Sequence, residues 1–222
     1  MFNNISENKM PDRQKNPCFG DYVKRSKAML DKGMTLSVLF AGVGGQGIIL
    51  ATTVLSHAAL NEGLDVKVSE VHGMAQRGGS VLGSVRFGKK VYSPTVGKAD
   101  FFVALEKLEA LRYLDTLKSG GLLLASDYSI CPTTVYLEGK EYPSDIEDRI
   151  GERVDGYMLV DVISIAKKLK EIRTANMVML GLLSGFLPIS DRSWIGSIKE
   201  NVPKKAVDIN LKAFENGKKY KI

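Results

Sequence analysis

Residues 36–62, LSVLFAGVGGQGIILATTVLSHAALNE, constrain the fold more than any other stretch. An apolar run of strand length, LSVLFAG, breaks into closely spaced glycines and resumes as an apolar run of helical length. From Gly47 to Glu62 the apolar positions are Ile48, Leu50, Ala51, Val54, Leu55, Ala58 and Ala59, and Gly63 follows as a C-terminal cap would. A buried strand feeding a helix through a tight glycine turn is the repeating unit of α/β proteins.

The rest of the chain continues the alternation. DVKVSEV (65–71), SVLGSVRFG (80–88), ADFFVAL (99–105), GLLLAS (121–126) and GYMLVDV (156–162) read as strands. Lys90 to Ser93 is expected to extend a hairpin around GKK. EKLEALRYLDTL reads as an amphipathic helix closed by Ser119-Gly120-Gly121, TVYLEGKEYP as a short hairpin or extended excursion, and DIEDRIGER as a polar helix. ISIAKKLKEI is a further helix, TANMVMLGLLSGFL (174–187) a strongly apolar one for a core or an interface, and the last thirty or so residues offer two helices separated by Pro203. The expected fold is a Rossmann-like α/β three-layer sandwich with a mostly parallel sheet. It occupies residues 34–222 and is preceded by a polar tail and short helix over 1–33, expected to be partly disordered.

Gly42, Gly44 and Gly47 match G-x-G-x-x-G between strand and helix, and Gly45 and Gln46 lie inside it. In that motif the first glycine permits the turn, the second lets a phosphate approach the backbone, and the third lets helix and strand pack. Free amides and the positive end of the helix dipole favour an anion at Gly45 to Ile48. Glu70, about twenty residues on, stands where a dinucleotide fold places its ribose-binding acid. The loop lacks the Gly-Lys-Ser/Thr ending of a nucleotide-hydrolysing P-loop.

A second constellation follows the second strand. SEVHGMAQRGGSV combines Glu70, His72, Gly73, Met74, Gln76, Arg77, Gly78 and Gly79 at the carboxyl end of the sheet, where open α/β sheets bind ligands. Arg77 suits a carboxylate or phosphate, and Gln46 and Gln76 can present amides to a heterocycle or a partner backbone. Each also has an ordinary reading: a loop histidine, a gap-filling methionine, an arginine on helix-end carbonyls. The combination carries the weight.

Composition removes several classes. The two cysteines, Cys18 and Cys131, form no CxxC pair, and two histidines, His57 and His72, stand far apart, so the chain alone builds neither a zinc ribbon nor an iron–sulfur site. No metal site and no catalytic residue are assigned. The net charge of +6 is spread from Lys9 to Lys221 without a compact basic-aromatic stripe, which argues against nucleic acid. A basic surface facing an acidic protein or a CoA-like ligand fits as well. No apolar run reaches transmembrane length and no secretory signal opens the chain, so a cytoplasmic location without membrane attachment is expected.

With these residues in view, the sequence resembles the gamma domain of the 2-oxoacid:ferredoxin oxidoreductases, in particular the small subunit of the indolepyruvate branch. The likeness rests on GVGGQGIILA, EVHGMAQRGGSV, SVRFGKKVYSP, KADFFVALEKLEALRYL, TANMVMLG and VPKKAVDINLKAFENG, in that order from about Leu36 to the C-terminus. The resemblance implies an enzyme that decarboxylates a 2-oxoacid on thiamine diphosphate with magnesium, passes electrons through iron–sulfur clusters to ferredoxin and delivers the acyl group to CoA. It implies that a large partner subunit carries the thiamine diphosphate and the clusters, this chain being inactive alone. The two loops would face the subunit junction or the CoA path. Two alternatives stay open: a stand-alone NAD(P)-binding protein, and the gamma subunit of a pyruvate or 2-oxoglutarate enzyme.

Overall fold

The computed structural model describes residues 19–72, 79–131 and 141–220. Six strands form one sheet: β1 (Leu36–Val43), β2 (Asp65–His72), β3 (Ser80–Gly88), β4 (Ala99–Ala104), β5 (Leu117–Ser126) and β6 (Tyr157–Val160). Their order is β2-β3-β1-β4-β5-β6. The pairs β1/β4, β4/β5 and β5/β6 are parallel, whereas β3 runs antiparallel to both β1 and β2. The sheet is thus mostly parallel, as expected. The insertion of β3 between the first two strands is the main departure from a simple dinucleotide-binding order.

The described helices are α1 (Phe19–Asp31), α2 (Ile48–Asn61), α3 (Lys107–Arg112), α4 (Ile146–Arg153), α5 (Val162–Lys168), α6 (Ala175–Ser184), α7 (Asp191–Asn201) and α8 (Val207–Lys218). Alternating side chains of the strands feed two cores. Leu36, Val38 and Phe40 pack with α2, α5, α6, α7 and α8 on one face, and α1 lies against the same core through Tyr22, Met29 and Leu30. Leu39 and Ala41 pack with Ala110 and Leu111 of α3 and with Ile146 and Ile150 of α4 on the other. Helices cover both faces, which makes the three layers.

α6 settles the choice between core and interface. Every residue from Asn176 to Ser184 is buried. Met177, Val178, Met179, Leu180, Leu182 and Leu183 lie within the larger core, and at about 1.5–3 kcal/mol per buried side chain the helix cannot serve as a surface element. α1 is likewise joined to the sheet: the Tyr22 ring lies 6.3 Å from that of Phe101, and Arg25 donates to the Gly120 carbonyl at 2.7 Å.

Three local expectations change. The helix expected over 106–117 ends at Arg112, and a 3-10 turn at Leu114–Thr116 leads into β5, so Ser119, Gly120 and Gly121 lie within a strand. An irregularity between β4 and β5 accommodates them: Ala99 pairs with Leu117, but Phe101 already pairs with Leu122. Residues 90–93 do not extend a hairpin, because side chains hold the segment instead: Asp65 accepts from the Val91 amide and Arg86 donates to Ser93 O at 2.8 Å. α5 stops at Lys168, followed by Lys170 in the left-handed region. The expected tail up to residue 18 and the 134–140 part of the expected hairpin lie outside the described residues.

Candidate functional site

The chain leaves β1 through α2 toward β2 at one edge and returns to β4 on the other side of β1. Between β1 and β4 the connections therefore diverge, and their carboxyl ends open a crevice. A cavity of about 300 Å³ lies there, between Gly44, Gly45 and Gln46 on one side and Tyr128 and Ile130 on another. Leu105, Val162, Ile163 and Ile172 make the lining largely apolar, and Arg173 stands at it. Arg173 is itself held by Glu171, Nε to Oε1 at 2.8 Å and Nη2 to Oε2 at 2.7 Å. Those hydrogen bonds from Arg173 hold the Glu171 carboxyl down at about 2, so an incoming anion would compete with a carboxylate already in place.

The glycine loop is shaped by its own side chains. The Gln46 amide oxygen accepts from the Val43 amide at 2.7 Å and its nitrogen donates to Leu105 O at 2.8 Å, tying the loop to the end of β4. Gln46 is thus a brace rather than an amide held out to a heterocycle. Gly44, the glycine expected to receive a phosphate, donates its N–H to Gly79 O at 2.8 Å. The two sequence-predicted loops are therefore joined at Gly44 and Gly79. Gly47 caps α2 in the left-handed region at φ 79°, with no side-chain cap, so the first amides of α2 have no intrahelical acceptor. Beneath it, Asn176 of α6 donates to Gly47 O at 3.1 Å. Gly42 is the penultimate residue of β1.

Glu70 is not beside this loop. Because β3 stands between β1 and β2, Glu70 is two strand spacings, roughly 9–10 Å, from β1, and it accepts from the Thr52 hydroxyl on α2 at 2.9 Å. The ribose-binding role read from its spacing loses its geometric basis. His72 is the last residue of β2. Gly73, Met74, Gln76, Arg77 and Gly78 lie outside the described residues.

Several residues missed in the sequence shape the site. Asn176 is the lone amide in an otherwise apolar helix, a signal that was legible. Two buried acids, Glu106 and Glu109, follow β4. Glu106 caps α3 through the Glu109 amide at 2.9 Å and also accepts from Ile130 N at 3.0 Å and Tyr142 OH at 2.6 Å. Burial, with this carboxylate's hydrogen bond, pushes the Tyr142 hydroxyl well above its ordinary range. A second cavity, of about 260 Å³, lies among Lys98, Lys118 and Arg153. Its cations are spoken for, Lys118 by Asp100 at 2.7 Å, Arg153 by the Asp115 carboxylate and Lys98 by the Asp115 carbonyl.

Residues 37–220 match the family described as pyruvate ferredoxin/flavodoxin oxidoreductase. The chain belongs to this family. Indolepyruvate oxidoreductase subunit IorB of Thermococcus kodakarensis is 41% identical over 191 residues, covering 82% of this chain and 94% of the relative. The gamma subunit of a keto/oxoacid ferredoxin oxidoreductase from Geobacter sulfurreducens superposes with a TM-score of 0.60 at 28% identity, over 82% of this chain and 94% of the other. A 2-oxoglutarate:ferredoxin oxidoreductase from Magnetococcus marinus, solved with 2-oxoglutarate, coenzyme A and succinyl-CoA, gives a TM-score of 0.67 at 26% identity. That match takes in 83% of this chain and 30% of the other, so the same domain there forms part of a longer polypeptide.

The cofactors of such enzymes can be tested against the residues present. Among the described residues no group of three or more His, Cys, Asp or Glu side chains is arranged to hold a metal, and Cys131 is exposed and in no disulfide. This donor set does not fit an iron–sulfur cluster, which needs several thiolates converging on one point. Among the described residues no helix is long and apolar enough to cross a membrane.

Proposed function

We propose that the chain is the small, non-redox subunit of a cytoplasmic, thiamine-diphosphate-dependent 2-oxoacid:ferredoxin oxidoreductase that oxidatively decarboxylates an arylpyruvate, indolepyruvate foremost, to its acyl-CoA. The observation that carries this reading is the 41% identity to an indolepyruvate oxidoreductase subunit across 94% of that subunit's length. Agreement over almost a whole subunit supports a shared place in an assembly better than a shared loop motif does. A large partner subunit supplies thiamine diphosphate, magnesium and the iron–sulfur clusters and passes electrons to ferredoxin, in keeping with a donor set here that fits no cluster.

The joined glycine loop and 70–79 loop form this chain's face toward the subunit junction or the CoA path. The uncapped first turn of α2 suits an anionic group, and the apolar crevice beside it suits an uncharged chain or a partner side chain. The stand-alone dinucleotide reading is weakened by two observations: the Gly44 amide is already bonded, and Glu70 sits across β3 from the loop.

Co-expression with the candidate thiamine-binding subunit tests the assignment, with viologen reduction followed in the presence of indolepyruvate, pyruvate or 2-oxoglutarate plus CoA. Activity that needs both chains and is highest with indolepyruvate is the expected result. Tight NAD(H) binding by this chain alone, without co-purification, would overturn it. In the active complex Arg77→Ala is expected to weaken assembly or raise the apparent KM for CoA about fivefold or more, the loss of one charge-assisted contact. Unchanged assembly and kinetics would remove Arg77 from the site.

A further inference from the structure

The hydrogen bond between Gly44 and Gly79 lies just past the end of a ladder. The β1/β3 pairing closes at Val43 opposite Ser80, so the glycine loop leaves the sheet at this point, and what holds Ser80 also holds Gly79. Ser80 is held from the side by α3. Its hydroxyl donates to Glu109 Oε2 at 2.5 Å and lies 3.1 Å from the Tyr113 hydroxyl. The other Glu109 oxygen lies 3.4 Å from Arg112 Nε. A continuous path thus runs from the Glu109 carboxylate to the Ser80 hydroxyl, through the adjacent Gly79 carbonyl, to the Gly44 amide.

Within α3 this carboxylate pairs with Arg112 one turn on, while its Oε2 reaches outside the helix to Ser80. Glu106 already caps the helix, and Glu109 is buried within one turn of it. Two like charges so placed disfavour each other, and an apolar residue at 109 would serve α3 at lower cost. Burial, and then the Glu106 charge, raise the Glu109 carboxyl, against the opposing pull of Ser80 and Arg112. The neighbouring acid does parallel work on the other wall of the crevice, where Glu106 holds the Ile130 amide.

We propose that Glu109 is a positioning residue for the glycine loop, acting through Ser80 and Gly79 to fix the Gly44 amide. It touches no ligand itself. Its role in CoA use rests on the function proposed above; its hold on the loop does not.

The test uses the complex with its partner subunit and three variants, Ser80→Ala, Glu109→Ala and Glu109→Gln. Hydrogen exchange in a peptide spanning 43–47 is expected to quicken about tenfold in the two alanine variants, while the peptide covering α6 keeps its protection. Glu109→Gln retains an acceptor oxygen for Ser80 and should stay within about threefold of wild type. In the same preparations the KM for CoA should rise about fivefold in the alanine variants with kcat within about twofold, and return with glutamine. Unchanged exchange at 43–47, or deprotection of all peptides alike, overturns the proposal. Faster exchange at 43–47 with an unchanged KM for CoA upholds it and counts against the CoA reading of the loop instead.

Discussion

Gly47 carries two constraints at once. Its φ of 79° lies in the left-handed region, and a Cβ built there would run into Asn176 Nδ2 beneath the loop. Alanine must therefore accept an unfavourable backbone conformation and displace the amide that holds the Gly47 carbonyl. Gly47→Ala should cost about 2–4 kcal/mol in urea unfolding. The double variant with Asn176→Ala should cost less than the sum of the two single ones, since the second change removes the obstacle. Strict additivity would show that Asn176 is not what the methyl group strikes. The glycine was legible in the sequence as part of a turn motif. Its partner was not, because nothing local connects residues 47 and 176, and only the packing of α6 under the loop brings them together.

Between elements, the tightest contact is the crossing of α6 and α8. A Cβ on Gly181 would collide with the Phe214 carbonyl, and one on Gly217 with the Val178 carbonyl. Each helix thus lays bare backbone against the other, and no rotamer change relieves an added methyl. Gly181→Ala should separate the helices and cost about 3 kcal/mol or more, read as a fall in the urea midpoint at unchanged slope. A loss below about 1 kcal/mol would mean that the crossing has slack. The strong periodic elements, α2, α6, β1 and β3, matched their sequence reading closely. The weaker ones gave way where tertiary contacts outweighed pattern: the helix after β4 shortened because β5 begins at Leu117 and pairs with Ala99, and the GKK hairpin yielded to Asp65 and Arg86.

For the whole molecule, the response of stability to pH reports the buried acid of α3. The folded state raises the Glu109 carboxyl above its ordinary value near 4.5, chiefly by burial, so the folded protein binds that proton more tightly than the unfolded chain. The resulting stability is fully present below the unfolded value and is lost as pH rises through the folded one. Glu171 acts oppositely and lower: held at about 2 by Arg173, it contributes stability above its unfolded value that is lost as pH falls toward 2. Urea titrations in steps upward from about pH 4.5 should therefore show a smaller decline in Glu109→Gln than in wild type; equal declines would mean that Glu109 titrates alike in both states. The sequence by itself determined the α/β class, the glycine turn, the buried strands and the family, because these follow from short-range periodicity and from motifs that survive without neighbours. Only the tertiary structure decided that β3 separates β1 from β2, which removes Glu70 from the glycine loop, and that Gly44 is already bonded to Gly79. It alone brought Asn176, Ser80 and Glu109 to the site. Strand order and side-chain contacts between distant segments are set by how two cores close over the sheet, and no local pattern encodes that closure.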